Sequence, residues 1–211
     1  MIFSFRGLRA AALVYALVAP LPAQALIFSE VFYDAVGSDE GLSFVELYGA
    51  PGTVLDGLVV EGINGSGGAV AGTFTLLGVI PVDGLFVIGD DTGSGTTLVP
   101  GADAIANFDF QNGPDSVVLR NASSILDALG YGVFAAGDVF AGEGTPAVDA
   151  APGNALARVF ANVDTNDNFH DFAEAAPTPG SAPLASVPEP SAAVLLAAGL
   201  FVLGWHGRQR C

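Results

Sequence analysis

Phe44-Val45-Glu46-Leu47-Tyr48 is the stretch on which the fold turns. Val45 and Leu47 fall on one side of it, and Phe44, Glu46 and Tyr48 on the other. That is the period of two expected of a strand, whose successive side chains leave the pleated backbone on opposite faces. Downstream, Leu85-Phe86-Val87-Ile88 is apolar on both faces, as expected of a strand covered on both sides. Outward from these two, similar short runs recur at 27–34, 58–61, 73–77, 104–108, 116–120, 125–129, 155–160 and 170–172. Turn chemistry separates them: Asn64-Gly65-Ser66-Gly67-Gly68, Asp90-Asp91-Thr92-Gly93, Asn112-Gly113-Pro114-Asp115 and Pro152-Gly153-Asn154. No stripe with helical spacing interrupts residues 26–180. The reading is an all-β domain, a β-sandwich, spanning 26–180. A chain of that length buries roughly two-thirds of its unfolded surface, enough for a core without disulfides.

Charge narrows the function. The 211 residues carry 22 Asp plus Glu against six Arg and no Lys, for a net charge of −16. The excess is concentrated in residues 26–187, where 21 acids against Arg120 and Arg158 leave −19. Such a surface repels phosphate backbones and anionic headgroups, which excludes nucleic acid as a partner. Cys211 is the single cysteine, so no internal disulfide forms.

The two ends read as trafficking segments. Residues 1–25 hold a cationic start at Arg6 and Arg9, an apolar run over 10–18, then Pro20 and Pro22. Ala23-Gln24-Ala25 supplies the small residues that signal peptidase accepts, so cleavage is expected after Ala25. At the other end, 181–190 is a Pro-rich linker closing on Val187-Pro188-Glu189-Pro190, and 191–211 is a hydrophobic helix with an Arg-containing tail. Its apolar part, 192–205, spans about 21 Å as a helix, short of the roughly 30 Å hydrocarbon core. It would anchor the chain to the membrane with the two terminal Arg cytoplasmic. The Pro-Glu-Pro motif, apolar helix and Arg-containing end, in that order, resemble the PEP-CTERM sorting signal of Gram-negative bacteria. That resemblance implies removal of the tail by an exosortase and delivery to the cell envelope, outer surface or extracellular matrix.

The order of the runs between the ends carries a second resemblance. Ile27-Phe28-Ser29-Glu30-Val31, Phe44-Val45-Glu46-Leu47-Tyr48, Leu85-Phe86-Val87-Ile88, the run from Gln111 to Arg120, and Leu126-Asp127-Ala128-Leu129-Gly130-Tyr131-Gly132 resemble the lamin tail domain. Ala157-Arg158-Val159, Asp164-Thr165-Asn166-Asp167-Asn168, Asp171-Phe172 and Pro177-Thr178-Pro179-Gly180 resemble the closing strands of its bacterial members. Gly49 stands where the family usually has Asn, and Leu58 where it has Trp. The resemblance implies an immunoglobulin-like sandwich. Together the two resemblances imply a non-enzymatic exported protein, structural or adhesive, meeting an unidentified surface polymer or protein.

Candidate chemistry is sparse. Glu30, Glu46 and Glu61 lie on expected strands, and a carboxylate pair there would suit a secreted polysaccharide hydrolase, the alternative function. Carboxylates on a solvated sheet face are the ordinary explanation. The single imidazole between the two ends, His170 beside Asp171, has no recognisable nucleophile turn near it. Asp164, Asn166 and Asn168 alternate oxygen side chains in a tight run, the pattern of a Ca²⁺ loop and of a calcium-dependent adhesion module. The same pattern arises when Asx side chains bond their own backbone in turns. Gly142-Glu143-Gly144 follows no Rossmann unit and is no nucleotide loop.

Overall fold

The computed structural model describes residues 25–186. The expected signal segment with Ala23, the motif Val187-Pro188-Glu189-Pro190 and the hydrophobic tail lie outside them. Ten strands form two sheets: β1 (Ile27–Phe32), β2 (Phe44–Tyr48), β3 (Val59–Asn64), β4 (Val70–Thr75), β5 (Leu85–Asp90), β6 (Ala104–Ala106), β7 (Asp115–Arg120), β8 (Ile125–Tyr131), β9 (Ala155–Arg158) and β10 (Phe172–Ala175). A six-stranded sheet runs β10-β9-β1-β2-β5-β6, and a four-stranded one runs β4-β3-β7-β8. Every pairing is antiparallel except β5 with β6. Phe28, Val31, Val45, Leu47, Phe86 and Ile88 of the large sheet share one core with Val60, Val117, Leu119, Leu129 and Tyr131 of the small one. The domain is an all-β sandwich.

The alternation read in Phe44–Tyr48 holds. Val45 and Leu47 enter the inter-sheet core, while Phe44 and Tyr48 enter two separate clusters on the outer face of the large sheet. That outer face is covered as well. Val99 and Ala102 pack on Phe32, Phe44 and Val87, and Ala182 packs on Ile27, Tyr48 and Leu85. Hence β1, β2 and β5 are buried along their whole length.

A bulge in β1 decides what that outer face carries. The register passes from Phe28↔Leu47 to Glu30↔Glu46, so Ser29 and Glu30 together oppose one residue of β2. The extra residue re-aims the strand. Phe28 and Val31 both stay in the inter-sheet core, and the interposed pair is left beside Glu46.

The expected strand at 170–172 is a helical turn, α1 (Asn168–Asp171), followed by β10. Asp167 caps it by accepting the Phe169 N–H, the local bonding that draws Asx-rich runs away from strand. The runs at 58–61 and 73–77 fall within or beside β3 and β4, which extend towards a turn over 65–69 closed by the Gly68 N–H on the Asn64 carbonyl and the Asn64 N–H on the Ala69 carbonyl. Among the described residues no helix is long and apolar enough to cross a membrane.

Candidate functional site

Arg158 ends β9 with its side chain turned inward, 1% exposed. A buried guanidinium needs its five donors satisfied and its charge balanced. Nε donates to the Phe28 carbonyl at 2.7 Å, and Nη1 donates to Asp171 Oδ2 at 3.0 Å and to the Val163 carbonyl at 3.2 Å. Nη2 donates to Asp127 Oδ2 at 3.1 Å, and the guanidinium lies 4.5 Å over the Phe172 ring. Asp127 comes from β8 and is itself fully buried, accepting the Phe28 N–H as well. One cation thus ties β8, β9, β1 and the α1 turn together.

Two further carboxylates border this centre. Asp164 Oδ1 is 3.5 Å from Arg158 Nη1, and the acid oxygens of Asp127, Glu143 and Asp164 lie within 4.8 Å of one another. Glu143 gets there because the chain before it lies directly on β8. A Cβ on Gly142 would stand 2.5 Å from the Gly130 nitrogen, so only glycine permits the approach. Burial, with Asp127 and Asp164 nearby, pushes the Glu143 carboxyl up to about 7. Its Oε2 is buried without a hydrogen-bond partner.

The run read as a calcium loop has other duties. Asn168 is fully buried; its Oδ1 accepts the N–H groups of Gly130 and Glu143, each at 2.8 Å, and its Nδ2 donates to the Ala128 carbonyl. Asp164 Oδ1 accepts the Asn166 N–H at 3.0 Å, and Asn166 sits at φ +56°, where Asn is tolerated. This is the Asx-turn arrangement, with Arg158 supplying the positive charge beside Asp164. Melting should therefore be the same in excess EDTA and in millimolar Ca²⁺. An ion bound tenfold below its free concentration would add about 1.4 kcal/mol, or about 4 °C for a domain of this size. A rise of that order, abolished by Asp164→Asn, would establish the loop as a calcium site.

Glu30 and Glu46 do not lie on a solvated face. They are 1% and 0% exposed, because residues after β10 fold back over them. Thr178 donates its N–H to Glu30 Oε1, Gly180 donates its N–H to Glu46 Oε2, and Ser29 Oγ donates to Glu46 Oε1. Burial pushes the Glu30 carboxyl up to about 7 and raises Glu46 as well. Glu61 faces Arg120, which donates Nε at 2.7 Å, and that hydrogen bond holds its carboxyl below the usual range. His170 is exposed and pairs with Asp167 at 3.1 Å, while its neighbour Asp171 turns to Arg158. All three strand carboxylates read as catalytic candidates are bonded into the sandwich.

An open acidic cavity lies elsewhere. It occupies about 310 Å³ at the end of β5 and is lined by Asp39, Glu40, Asp90, Asp91, Asn107 and Asp109 with Ser38 and Phe108. Asp90 is fixed by the N–H groups of Gly41 at 2.8 Å and Phe108 at 3.1 Å. Burial, with Asp34, Asp109 and Asp90 nearby, raises the Asp39 carboxyl. No family model and no curated protein matches the chain. Asp90-Asp91 stands out in the sequence but Asp39, Asn107 and Asp109 do not: the β2–β5 pairing and the Gly41 N–H on Asp90 bring in the loop of Asp39, and the parallel β5–β6 pairing brings in Asn107 and Asp109.

Proposed function

We propose that the chain is an exported, non-enzymatic surface or matrix protein whose immunoglobulin-like, lamin-tail-type sandwich has a structural or adhesive role. In this reading signal peptidase frees the chain after Ala25, and an exosortase recognises Val187-Pro188-Glu189-Pro190 and removes the tail. One observation carries it: a complete core fills the interval between the two trafficking segments. β1 begins at Ile27, two residues after the expected cleavage, and Ala185, two residues before Val187, is still hydrogen-bonded to Asn162 of the domain. The −19 charge over 26–187 favours a cationic or cation-bridged partner and disfavours nucleic acid. Fractionation of the tagged chain in hosts with and without an exosortase tests the reading. The tail should be lost only where the enzyme is present; equal retention in both hosts would overturn it.

The cavity at the end of β5 supports a second reading, a secreted polysaccharide hydrolase working through loop carboxylates. It has room for part of a sugar, and Asp39 has the raised carboxyl that a general acid needs. Glycan cleavage that disappears in Asp39→Asn would establish it; absence of cleavage across a polysaccharide panel would leave the adhesive role.

A further inference from the structure

Residues 176–186 have no strand partner of their own and lie as a strap over the outer face of the large sheet. Ala182 packs against Ile27, Tyr48, Leu85 and Ala161. The Ala161 N–H donates to the Pro183 carbonyl, and Asn162 and Ala185 exchange two hydrogen bonds of 2.7 and 2.9 Å. The remaining anchor is the buried pair Glu30 and Glu46, set opposite one another by the β1 bulge.

Counting protons on that anchor favours a neutral Glu30. Thr178 Oγ1 lies 2.9 Å from Glu30 Oε2 and 3.1 Å from the Ser181 carbonyl oxygen. A hydroxyl has one proton to donate, and a carbonyl only accepts. With Glu30 ionised the single Thr178 proton is shared between two acceptors, whereas a protonated Glu30 Oε2 donates to Thr178 Oγ1 and leaves its proton wholly for Ser181, giving two full hydrogen bonds. Glu46 is different: each of its oxygens meets a donor, from Ser29 and from Gly180, so it is satisfied as a carboxylate. A neutral acid beside a charged one is also the arrangement expected of two carboxyls sharing a buried site.

We propose that the strap is a proton-controlled latch: a neutral Glu30 holds residues 177–181 on the sheet through Thr178 and Ser181, and a charged Glu30 releases them. On ionisation the Thr178 hydroxyl must share its one proton between two acceptors, and two buried negative charges then face each other across β1 and β2. The hydrogen bonds from Thr178 favour the charged form of Glu30, but burial outweighs them. Besides Glu46 and Thr178, the titratable groups bearing on the pair are Asp83 and Asp103, both acidic, while β9 and β10 place Ala157 and Ala173 in register with Glu30.

The sign follows from linkage. The latched state binds the Glu30 proton more tightly than the open state, in which the carboxyl returns toward its ordinary 4.5. Latching is therefore complete below about pH 4.5 and weakens as pH rises through about 7, by roughly tenfold for each unit separating the two values. The residues after the strap are Val187-Pro188-Glu189-Pro190, so an open latch would lengthen the tether before that motif. That last consequence rests on the sorting reading; the latch itself does not.

Hydrogen exchange of the full chain in detergent micelles, between pH 5 and 8, tests it. Protection of the Thr178 and Gly180 amides, corrected for intrinsic rates, should fall at least tenfold across that range while the β7 amides hold theirs. Glu30→Gln reproduces the neutral acid, with its amide donating to Thr178, and should make strap protection independent of pH. Thr178→Val should lower it already at pH 5. A flat profile in the unaltered chain, or the same fall in Glu30→Gln, would overturn the latch. Should Glu30→Gln not fold, the carboxyl carbon shift of Glu30 in the unaltered chain decides, since its midpoint must coincide with loss of strap protection.

Discussion

Arg158→Met is expected to lower the melting temperature by about 10 °C or to abolish folding, the largest effect of any single substitution considered. Methionine fills a similar volume, so the loss is not a cavity. It removes the cation between two acids that cannot reach water: Asp127 is 0% and Asp171 4% exposed. It also leaves the Phe28 and Val163 carbonyls without their donor. Breaking a buried pair by deleting one partner costs about 3–5 kcal/mol, and a domain of this size loses about 2–4 °C per kcal/mol. Arg158→Lys should fall between, because an ammonium keeps the charge but not the fork that serves Asp127 and Asp171 together. Adding Asp127→Asn and Asp171→Asn to Arg158→Met should recover part of the loss by removing the stranded charges. If the triple variant melts no higher than Arg158→Met, packing rather than charge holds this centre. Arg120 is the internal comparison. Its side chain is 38% exposed against Glu61, where solvent screens the pair, so Arg120→Met should lower the melting temperature far less than Arg158→Met.

The contrast between these two arginines also separates what the sequence reveals from what it hides. Phe44–Tyr48 and Leu85–Ile88 are legible because their side-chain alternation is a local property of the strand, and the structure places both as read. Arg158 is not. Within the run 155–160 it is one polar residue among apolar ones, and the groups that satisfy it lie 31 residues away at Asp127 and 130 away at Phe28. A signal existed, since only two cations stand among 21 acids in 26–187, but nothing local shows which one is inward. Glu30 and Glu46 mislead for a related reason. Alternation with Val45 and Leu47 correctly assigns Glu46 to the outer face and the β1 bulge brings Glu30 to the same side, yet whether that face meets water depends on Thr178 and Gly180, 148 and 134 residues further on. The run 164–168 is ambiguous in another way: its composition fits both an ion loop and a capped turn, and what separates the two is what Asn168 finds beneath it, which no local pattern shows.

That choice gives the second large effect. Asn168→Ala should destabilise the domain by about 3–5 kcal/mol, because it strands two N–H groups and one carbonyl whose partners are the buried amide, each worth about 1–3 kcal/mol. The damage should concentrate where those groups lie. Gly130 and Ala128 belong to β8, whose neighbours in the sheet hold them, whereas Glu143 sits in a loop. Exchange protection of the Glu143 amide should therefore collapse before that of β8. Asn168→Asp distinguishes the two meanings of this residue. A carboxylate still accepts from Gly130 and Glu143, but its second oxygen now faces the Ala128 carbonyl, next to the acids at 127 and 143. The buried-amide role predicts a loss close to that of alanine, with or without Ca²⁺. A calcium loop predicts the opposite, since trading a neutral ligand for an anionic one strengthens an ion site. A variant that melts lower than the parent in EDTA but higher in millimolar Ca²⁺ would return Asn168 to the role of ligand; equal loss in both keeps it as the pin that fastens residues 142–144 to β8.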